Sequence, residues 1–358
     1  MDKTSDPTKK IRIVDVARMA GVSVGTVDRV IHNRGRVSEE NLRKVKGVLD
    51  IVDYQPNLIA RSLASRKQYR IVTLTPEAAP GEYWKDVHKG IGKAAAETTG
   101  YNIHVENFHF NQYDAVSFDR AQTAMLEKEF DAAVIATLFT EPVIRLSRLL
   151  DKRKIPYVYL DSNIAGQNQL SYFGTESYDA GAIAARLLTE KIARTSDILV
   201  CRIIHSGEND STQIRNRKKG FCDFLEKNGY AGKLRYAHLR LNDDAYNFEV
   251  LDKVFAEPGK IEGAVTFNST CYIPGKYLKA KRLSQVNLVG YDVTGRNADM
   301  LRDGVVIALI AQRPEYQGYY SIKALYEKLL FGKRTDKVNL MPIDILIREN
   351  IDYYHNKF

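Results

Sequence analysis

Cysteine is scarce in this chain of 358 residues. Cys201, Cys222 and Cys271 are widely spaced and form no C-x-x-C pair, which argues against a disulfide scaffold or a thiolate zinc centre and leaves three buried thiols. The seven histidines show no ligand spacing, so no metal site is expected. Long apolar runs are missing as well. The longest obvious one, Val305 to Ala311, is far too short to span a bilayer, and Met1 to Lys10 lacks the apolar centre of a signal peptide. The expectation is a cytoplasmic protein with no membrane partner. G-x-S-x-G, H-E-x-x-H and Walker A motifs are absent too. Gly90-Ile-Gly92-Lys-Ala-Ala-Ala96 does spell G-x-G-x-x-A, but it falls inside a helical stretch, where its glycines are expected to permit close packing. Neither a catalytic residue nor a cofactor is expected, and the chain is not read as an enzyme.

What is present is a basic excess in one place. Residues 1–70 hold 15 Lys+Arg against 8 Asp+Glu, a net of +7 of the chain's +9. Within that fifth of the sequence, Ile13 to Ile31 pattern as two short amphipathic helices about Gly21. Val16, Ala17 and Ala20 give the first an apolar face, Gly21 permits a sharp turn, and Ser23 caps the second. Val27, Val30 and Ile31 must face inward, which leaves Val24, Gly25, Thr26, Asp28 and Arg29 outside. Positive charge concentrated on a small helical module suits phosphate binding, so this is read as a helix-turn-helix whose second helix meets double-stranded DNA.

After a loop at Asn33 to Val37, Ser38 is expected to cap a third helix running to about Tyr54, with Glu39 and Glu40 in its first turn and an apolar stripe of Val45, Val48, Leu49 and Val52. Pro56 then opens a short amphipathic segment, Asn57 to Ser65, followed by a basic link. At about ten residues it is below the roughly 12–15 that hold a helix in water, so it is expected to order only when docked. Residues 12–67 resemble the headpiece of the lactose-repressor (LacI/GalR) family of bacterial transcription regulators. The DVA-x-x-AGVS core at Asp15 to Ser23, TV-x-RV at Thr26 to Val30, VSEE at Val37 to Glu40 and YQPN-x-x-ARSL at Tyr54 to Leu63 carry the resemblance. It implies a homodimer on a palindromic operator, with Asn33, Asn57 and Ala60 also at the interface. In the same resemblance the linker becomes a hinge helix and Leu63 a wedge in the minor groove. Four positions depart from the family. Asp28 replaces a phosphate-contacting serine, Val24 and Gly25 leave direct base readout sparse, and Arg12 stands where a threonine usually caps the first helix. Ser23 and Thr26 stay ordinary phosphate contacts, while specificity leans on Arg29, the hinge and DNA deformability.

From Ile71 the pattern alternates between strand and helix. Ile71–Thr75, Tyr101–Val105, Ala132–Ala136 and Tyr157–Asp161 read as strands, with helices from Tyr83, Asp114 and Glu141 between them. A second round follows: a helix from Ser177, a strand at Ile198–Ile204, a helix from Thr212, a strand near Leu234, a helix from Asp243, a strand at Ala264–Phe267, a helix from Ile273 and a strand at Asn287–Asp292. The fold class is therefore α/β: a three-helix headpiece (1–55), a hinge helix and linker (56–69), and doubly wound parallel sheets in two lobes (70–358). The lobes resemble the periplasmic sugar-binding architecture that this family fuses to its headpiece. By that resemblance the chain crosses near Asp161–Ala165, Gly290–Val293 and Gln312–Pro314. An N-lobe of about 70–161 plus 293–318 and a C-lobe of about 162–292 plus 319–358 follow.

Ligands of such folds sit at the carboxyl ends of the strands. Trp84, with Tyr83 beside it, aligns with the family's effector-stacking aromatic, and Arg217, three residues before Gly220-Phe221, with its effector-binding arginine. Asp161 and Asp292 end strands where a carboxylate can accept two sugar hydroxyls, with helix capping or an interlobe bridge as the alternative, and Asn268 fits the same ring. An aromatic face, a guanidinium and two carboxylates suit a sugar or sugar derivative first; purine-like and amino-acid-like effectors, and a plain solute-binding protein, stay open.

Overall fold

The computed structural model describes residues 11–31, 35, 37–52, 67–204 and 211–354. Two units are distinguished, the first within residues 1–67 and the second holding nearly all of the chain from Gln68 onward.

In the first unit α1 (Ile13–Ala20), α2 (Val24–Ile31) and α3 (Glu39–Val52) enclose a small core. Val16, Ala17, Ala20, Val27 and Val45 are buried, and Val30, Ile31, Val48, Leu49 and Val52 pack against them, as the helical periodicity predicts. Gly21 ends α1 in the left-handed region at φ 64°, where an L side chain would be strained. Ser23 caps α2 by accepting from the Thr26 amide at 3.1 Å, and Ser38 accepts from the Asn41 amide at 3.4 Å. The segment of Asn57, Ala60 and Leu63, and Asn33 before it, lie outside the described residues.

The second unit contains two six-stranded sheets. Its strands are β1 (Tyr69–Pro76), β2 (Ile103–Phe110), β3 (Ala132–Ala136), β4 (Tyr157–Asp161), β5 (Ser171–Gly174), β6 (Asp197–Ile204), β7 (Leu234–Arg240), β8 (Ile261–Thr266), β9 (Asn287–Tyr291), β10 (Val306–Ala311), β11 (Val338–Leu340) and β12 (Asp344–Leu346). Its helices are α4 (Tyr83–Thr98), α5 (Ala115–Leu126), α6 (Thr140–Arg153), α7 (Ser177–Thr189), α8 (Thr212–Lys227), α9 (Asp244–Ala256), α10 (Tyr272–Ala280), α11 (Gly295–Arg302) and α12 (Pro314–Phe331). The N-lobe sheet runs β11-β5-β4-β3-β1-β2 and the C-lobe sheet β12-β10-β9-β8-β6-β7. All pairings are parallel except that of β10 with β12. Helices cover the sheets, so central strands such as β3 and β4 are buried from end to end, the usual condition of a parallel sheet.

Sheet membership corrects the expected lobe limits. The chain does not cross after Asp161: it turns there at φ 77° and returns to the same sheet as β5. It does not cross after Asp292 either, because residues 295–311 form α11 and β10 of the C-lobe. The crossings fall between Gly174 and Ser177, at Gln312–Pro314 and between Leu340 and Asp344, so α12 and β11, not residues 293–311, complete the N-lobe. The first and third come with strands of three or four residues, too short to show alternation, and β10 is an unbroken apolar run with no period of its own. Strand β2 starts at Ile103 rather than Tyr101, since Asn102 is left-handed at φ 57°.

Each lobe pins one pair of helices through reciprocal glycines. A Cβ on Gly90 of α4 would collide with the Glu315 carbonyl of α12, and one on Gly318 with that of Val87. In the C-lobe, Gly181 of α7 meets the Arg217 carbonyl and Gly220 of α8 that of Tyr178. Gly92, by contrast, faces open space, so the packing role expected of both glycines in the 90–96 motif belongs to Gly90 alone.

Candidate functional site

The exposed surface of α2 is the first candidate. Val24 is 41% exposed, Gly25 and Arg29 are exposed, and Thr26 and Asp28 are half-buried. The Ser23 and Thr26 hydroxyls share a hydrogen bond of 2.9 Å, and the Arg29 Nε donates to the Gly25 carbonyl at 3.1 Å. The missing threonine cap of α1 is compensated from inside the helix: the Asp15 carboxylate accepts from the Arg12 amide at 3.0 Å and also pairs with Arg12 and Arg18. That amide bond, followed by the two guanidinium groups, holds the Asp15 carboxyl below its ordinary range despite some desolvation. The start of α1 is thus held by Asp15.

The second candidate is a cleft of about 740 Å³ between the lobes. Its floor is built by two aspartates, Asp161 at the end of β4 and Asp292 directly after β9. Both adopt the left-handed conformation, Asp161 at φ 77° and Asp292 at φ 64°, a sparsely populated state for such residues and one that recurs at functional sites. Two glutamines join them. Gln213 Nε2, from α8, donates to Asp161 Oδ1 at 3.0 Å and to Gln312 Oε1 at 3.2 Å, and Gln312 Nε2 donates to Asp292 Oδ1 at 2.7 Å. Ser162 and Ser269 donate to the remaining oxygens of Asp161 and Asp292 at 3.2 and 2.7 Å. Asn297 braces the turn after β9 by donating to the Tyr291 and Asp292 carbonyls at 2.9 and 3.2 Å. Burial pushes the Asp161 carboxyl up to about 6; the Arg217 guanidinium opposes the rise and the Asp292 carboxylate adds to it.

The Gln213–Asp161 bond crosses between lobes. So do the Gly295 amide to the Gly81 carbonyl at 3.0 Å and the paired hydroxyls of Thr140 and Thr212 at 3.1 Å. The interlobe alternative raised for the aspartates is therefore realised through a glutamine rather than a salt bridge.

Tyr83 and Trp84 line the N-lobe wall, their rings edge-on at 90° with centroids 5.2 Å apart. The Tyr83 hydroxyl turns inward to Gln317 Oε1 at 3.2 Å, and burial raises its pKa well above the ordinary value. Asn268 also lines the cleft, accepting from Thr270. Arg217 is different. It is only 1% exposed, does not itself line the cavity, and stacks its guanidinium 4.1 Å from the Tyr291 ring centre while Nη1 donates to the Phe267 carbonyl at 2.9 Å. Its Nε is buried with no hydrogen-bond partner among the described residues. Tyr291 is in turn fixed by a 2.9 Å bond to the Ala180 carbonyl, so Arg217 stands behind the floor rather than on it.

Gln213, Gln312, Ser269, Tyr272 and Arg296 were not anticipated as cleft groups, yet all line it. Two had a signal: Gln213 lies one helical turn before Arg217, and Gln312 directly closes the apolar run of β10. Arg296, stacked 3.8 Å from the Tyr272 ring centre, had none.

Comparison with known proteins agrees with this division. Residues 12–57 match the family model of bacterial regulatory proteins of the lacI family, and residues 71–334 that of the periplasmic binding protein domain. Catabolite control protein A of Streptococcus mutans is 33% identical over 234 residues, 61% of this chain and 62% of that protein, so the match spans less than two thirds of that relative. The HTH-type transcriptional repressor ExuR of Bacillus subtilis is 23% identical over 80% of this chain and 82% of its own. Among solved structures, one described as a LacI transcriptional regulator from Bacteroides fragilis is 36% identical with a TM-score of 0.75, covering 81% of this chain and 100% of that one. GanP, a glucose-galactose binding protein from Geobacillus stearothermophilus, shares the fold with a TM-score of 0.68 at 19% identity, covering 80% of this chain and 99% of its own.

Proposed function

Because the chain belongs to the LacI family of bacterial regulatory proteins, we propose that it is a sequence-specific transcriptional repressor whose operator affinity is set by a sugar or sugar derivative bound in the cleft. It acts as a homodimer on a palindromic duplex, since two-fold protein symmetry calls for a two-fold site. Ser23 and Thr26 contact phosphates, Val24 meets a thymine methyl, and Arg29 reaches a base edge by giving up its bond to the Gly25 carbonyl. With so few base-reading groups on α2, DNA shape carries much of the specificity.

The observation that supports the effector half is the meeting of Asp161 and Asp292, from opposite lobes, on one buried floor beside Trp84. Each carboxylate offers about four acceptor positions, more than the serine and glutamine donors occupy, so adjacent hydroxyls of a polyol can be received there. The perpendicular setting of Tyr83 and Trp84 suits a sugar ring laid on one indole face better than a flat base, which needs parallel walls. Arg217 sets the charge beneath the floor and acts on a ligand through Asp161.

A thermal-shift screen of sugars tests the effector half, because a ligand that binds only the native state raises apparent stability by mass action. A sugar should raise the melting temperature of the wild-type protein and not of Asp292→Ala; equal shifts in both would place the site elsewhere.

A further inference from the structure

The three segments that join the lobes meet at two consecutive residues. Gln312, in the second crossing, accepts from the Thr175 hydroxyl of the first at 3.3 Å. Its neighbour Arg313 reaches the third. The Arg313 Nε donates to Asp344 Oδ2 at 2.7 Å and Nη2 to Oδ1 at 3.0 Å, a two-pronged pair with the residue that opens β12. The two side chains are 40% and 23% exposed, and an ion pair this open to water contributes little stability, so its effect is on geometry.

The backbone at this point is unusual. Arg313 is left-handed at φ 50° and ψ 60° and is followed by Pro314, the first residue of α12. Of the non-glycine residues with positive φ among the described residues, only Arg313 precedes a proline. A residue before proline is steered to extended backbone, so the conformation is unfavourable on two counts. Such a state persists only where its surroundings hold it, and it recurs at switch regions. Here the holding contacts are the Asp344 pair and the Tyr354 hydroxyl, which accepts from the Arg313 amide at 3.1 Å. Without them Arg313 relaxes toward extended backbone, and the direction in which α12 leaves the hinge changes.

The same point touches both the floor and the wall of the cleft. The Gln312 side chain bridges Asp292 and Gln213, while its carbonyl accepts from Gln317 Nε2 of α12 at 2.7 Å. Gln317 in turn receives the Tyr83 hydroxyl, and α12 is pressed onto α4 at Gly90 and Gly318. A rotation at Arg313 therefore carries α12, α4 and the Tyr83–Trp84 wall relative to the floor aspartate Asp292. Arg313 and Asp344 themselves stand outside the residues that line the cavity.

We propose that Arg313 and Asp344 are positioning residues that fix the angle between the lobes and thereby set how strongly a bound effector changes operator affinity. The proposal rests on the reading of the chain as an effector-controlled repressor and assigns the hinge by which the control is exerted.

Two measurements on the full-length protein test it. The first is operator anisotropy with and without a sugar, using an operator duplex enriched from a random pool; the sugar is the member of a panel of aldopentoses, aldohexoses and their uronic acids that gives the largest thermal shift. The second is the sugar-free emission of Trp84, the chain's single tryptophan, buried in the cleft wall. Where the wild type shows about a tenfold change in operator affinity, Arg313→Gly and Asp344→Ala should show about twofold or less. Calorimetry should find their sugar affinity within about threefold of wild type, because floor and wall keep every group. Their Trp84 emission should lie to the red of wild type as the lobes part. Asp344→Glu, which keeps the carboxylate, should retain both the response and the emission. Glycine suits the left-handed backbone at 313, so that variant should fold, with unchanged circular dichroism as the control. A merely structural pair would lower the melting temperature and leave both readings alone, and that result in Arg313→Gly and Asp344→Ala would overturn the proposal. If no sugar of the panel moves the wild type's operator affinity, the effector reading fails. The Trp84 emission then decides the hinge by itself, a red shift in the two variants upholding it and no shift overturning it.

Discussion

Asp161 is the residue on which the cleft's electrostatics turn. Its folded-state pKa of about 6 lies above the ordinary carboxylate value of 3.8, so the folded protein holds this proton more tightly than the unfolded chain. Stability from this group is thus full at low pH and is lost as pH rises from about 4 through 6. Asp161→Asn cannot ionise, and its stability relative to wild type should rise across that window and then level off. Thermal melts at pH 4, 5, 6 and 7 measure this, and a difference constant with pH would contradict the assignment. Arg217 gives a second expectation at this scale. Being walled in by Tyr291 and Phe267, it is a structural group as well as a charge, so Arg217→Ala should cost on the order of 2–4 kcal/mol in the second unit's stability besides weakening effector binding. Denaturant melts with and without ligand separate the two effects. Both aspartates were legible in the sequence because they close strands, and Arg217 through its motif. The burial of Arg217 was not, since nothing local in the sequence tells which rings will surround a helix-borne arginine. The glutamine bridge escaped notice for a similar reason: an amide announces a partner only when both ends are in place.

Among the elements, the two glycines of one short motif separate packing from propensity. Gly90→Ala should destabilise the second unit, because its Cβ meets a backbone carbonyl of α12 that cannot swing aside. Gly92→Ala, two residues on and facing open space within the same helix, should stabilise it by up to about 1 kcal/mol through helix propensity alone. Equal effects of the two substitutions, measured by denaturant melts, would contradict the close approach of α4 and α12. Most helices, and the long strands, were legible from capping residues and periodicity: Ser23, Asp114 and Asp243 all cap where the pattern begins. Strands β5, β11 and β12 were not, because three or four residues carry too little alternation to register. The lobe limits failed with them. A left-handed aspartate at a strand end looks in sequence like the point where the chain departs, yet here it turns the chain back into its own sheet.

On the scale of the whole molecule, a basic three-helix unit and a two-lobed cleft share one chain. The concentration of +7 of the net +9 in residues 1–70 predicts that operator binding weakens steeply with salt, as counterion release requires. A salt series should show this for the full chain, and binding insensitive to salt would contradict a phosphate-led interface. The central claim is that the cleft governs the DNA-binding unit. The direct test is fluorescence anisotropy of a duplex enriched from a random pool by the full-length protein, titrated with and without a saturating sugar from the screen. The account predicts that the sugar changes operator affinity by about tenfold in the wild type. Asp292→Ala should keep its unliganded operator affinity and lose that response. An operator affinity indifferent to the bound sugar in the wild type, or a response retained in full by Asp292→Ala, would contradict it.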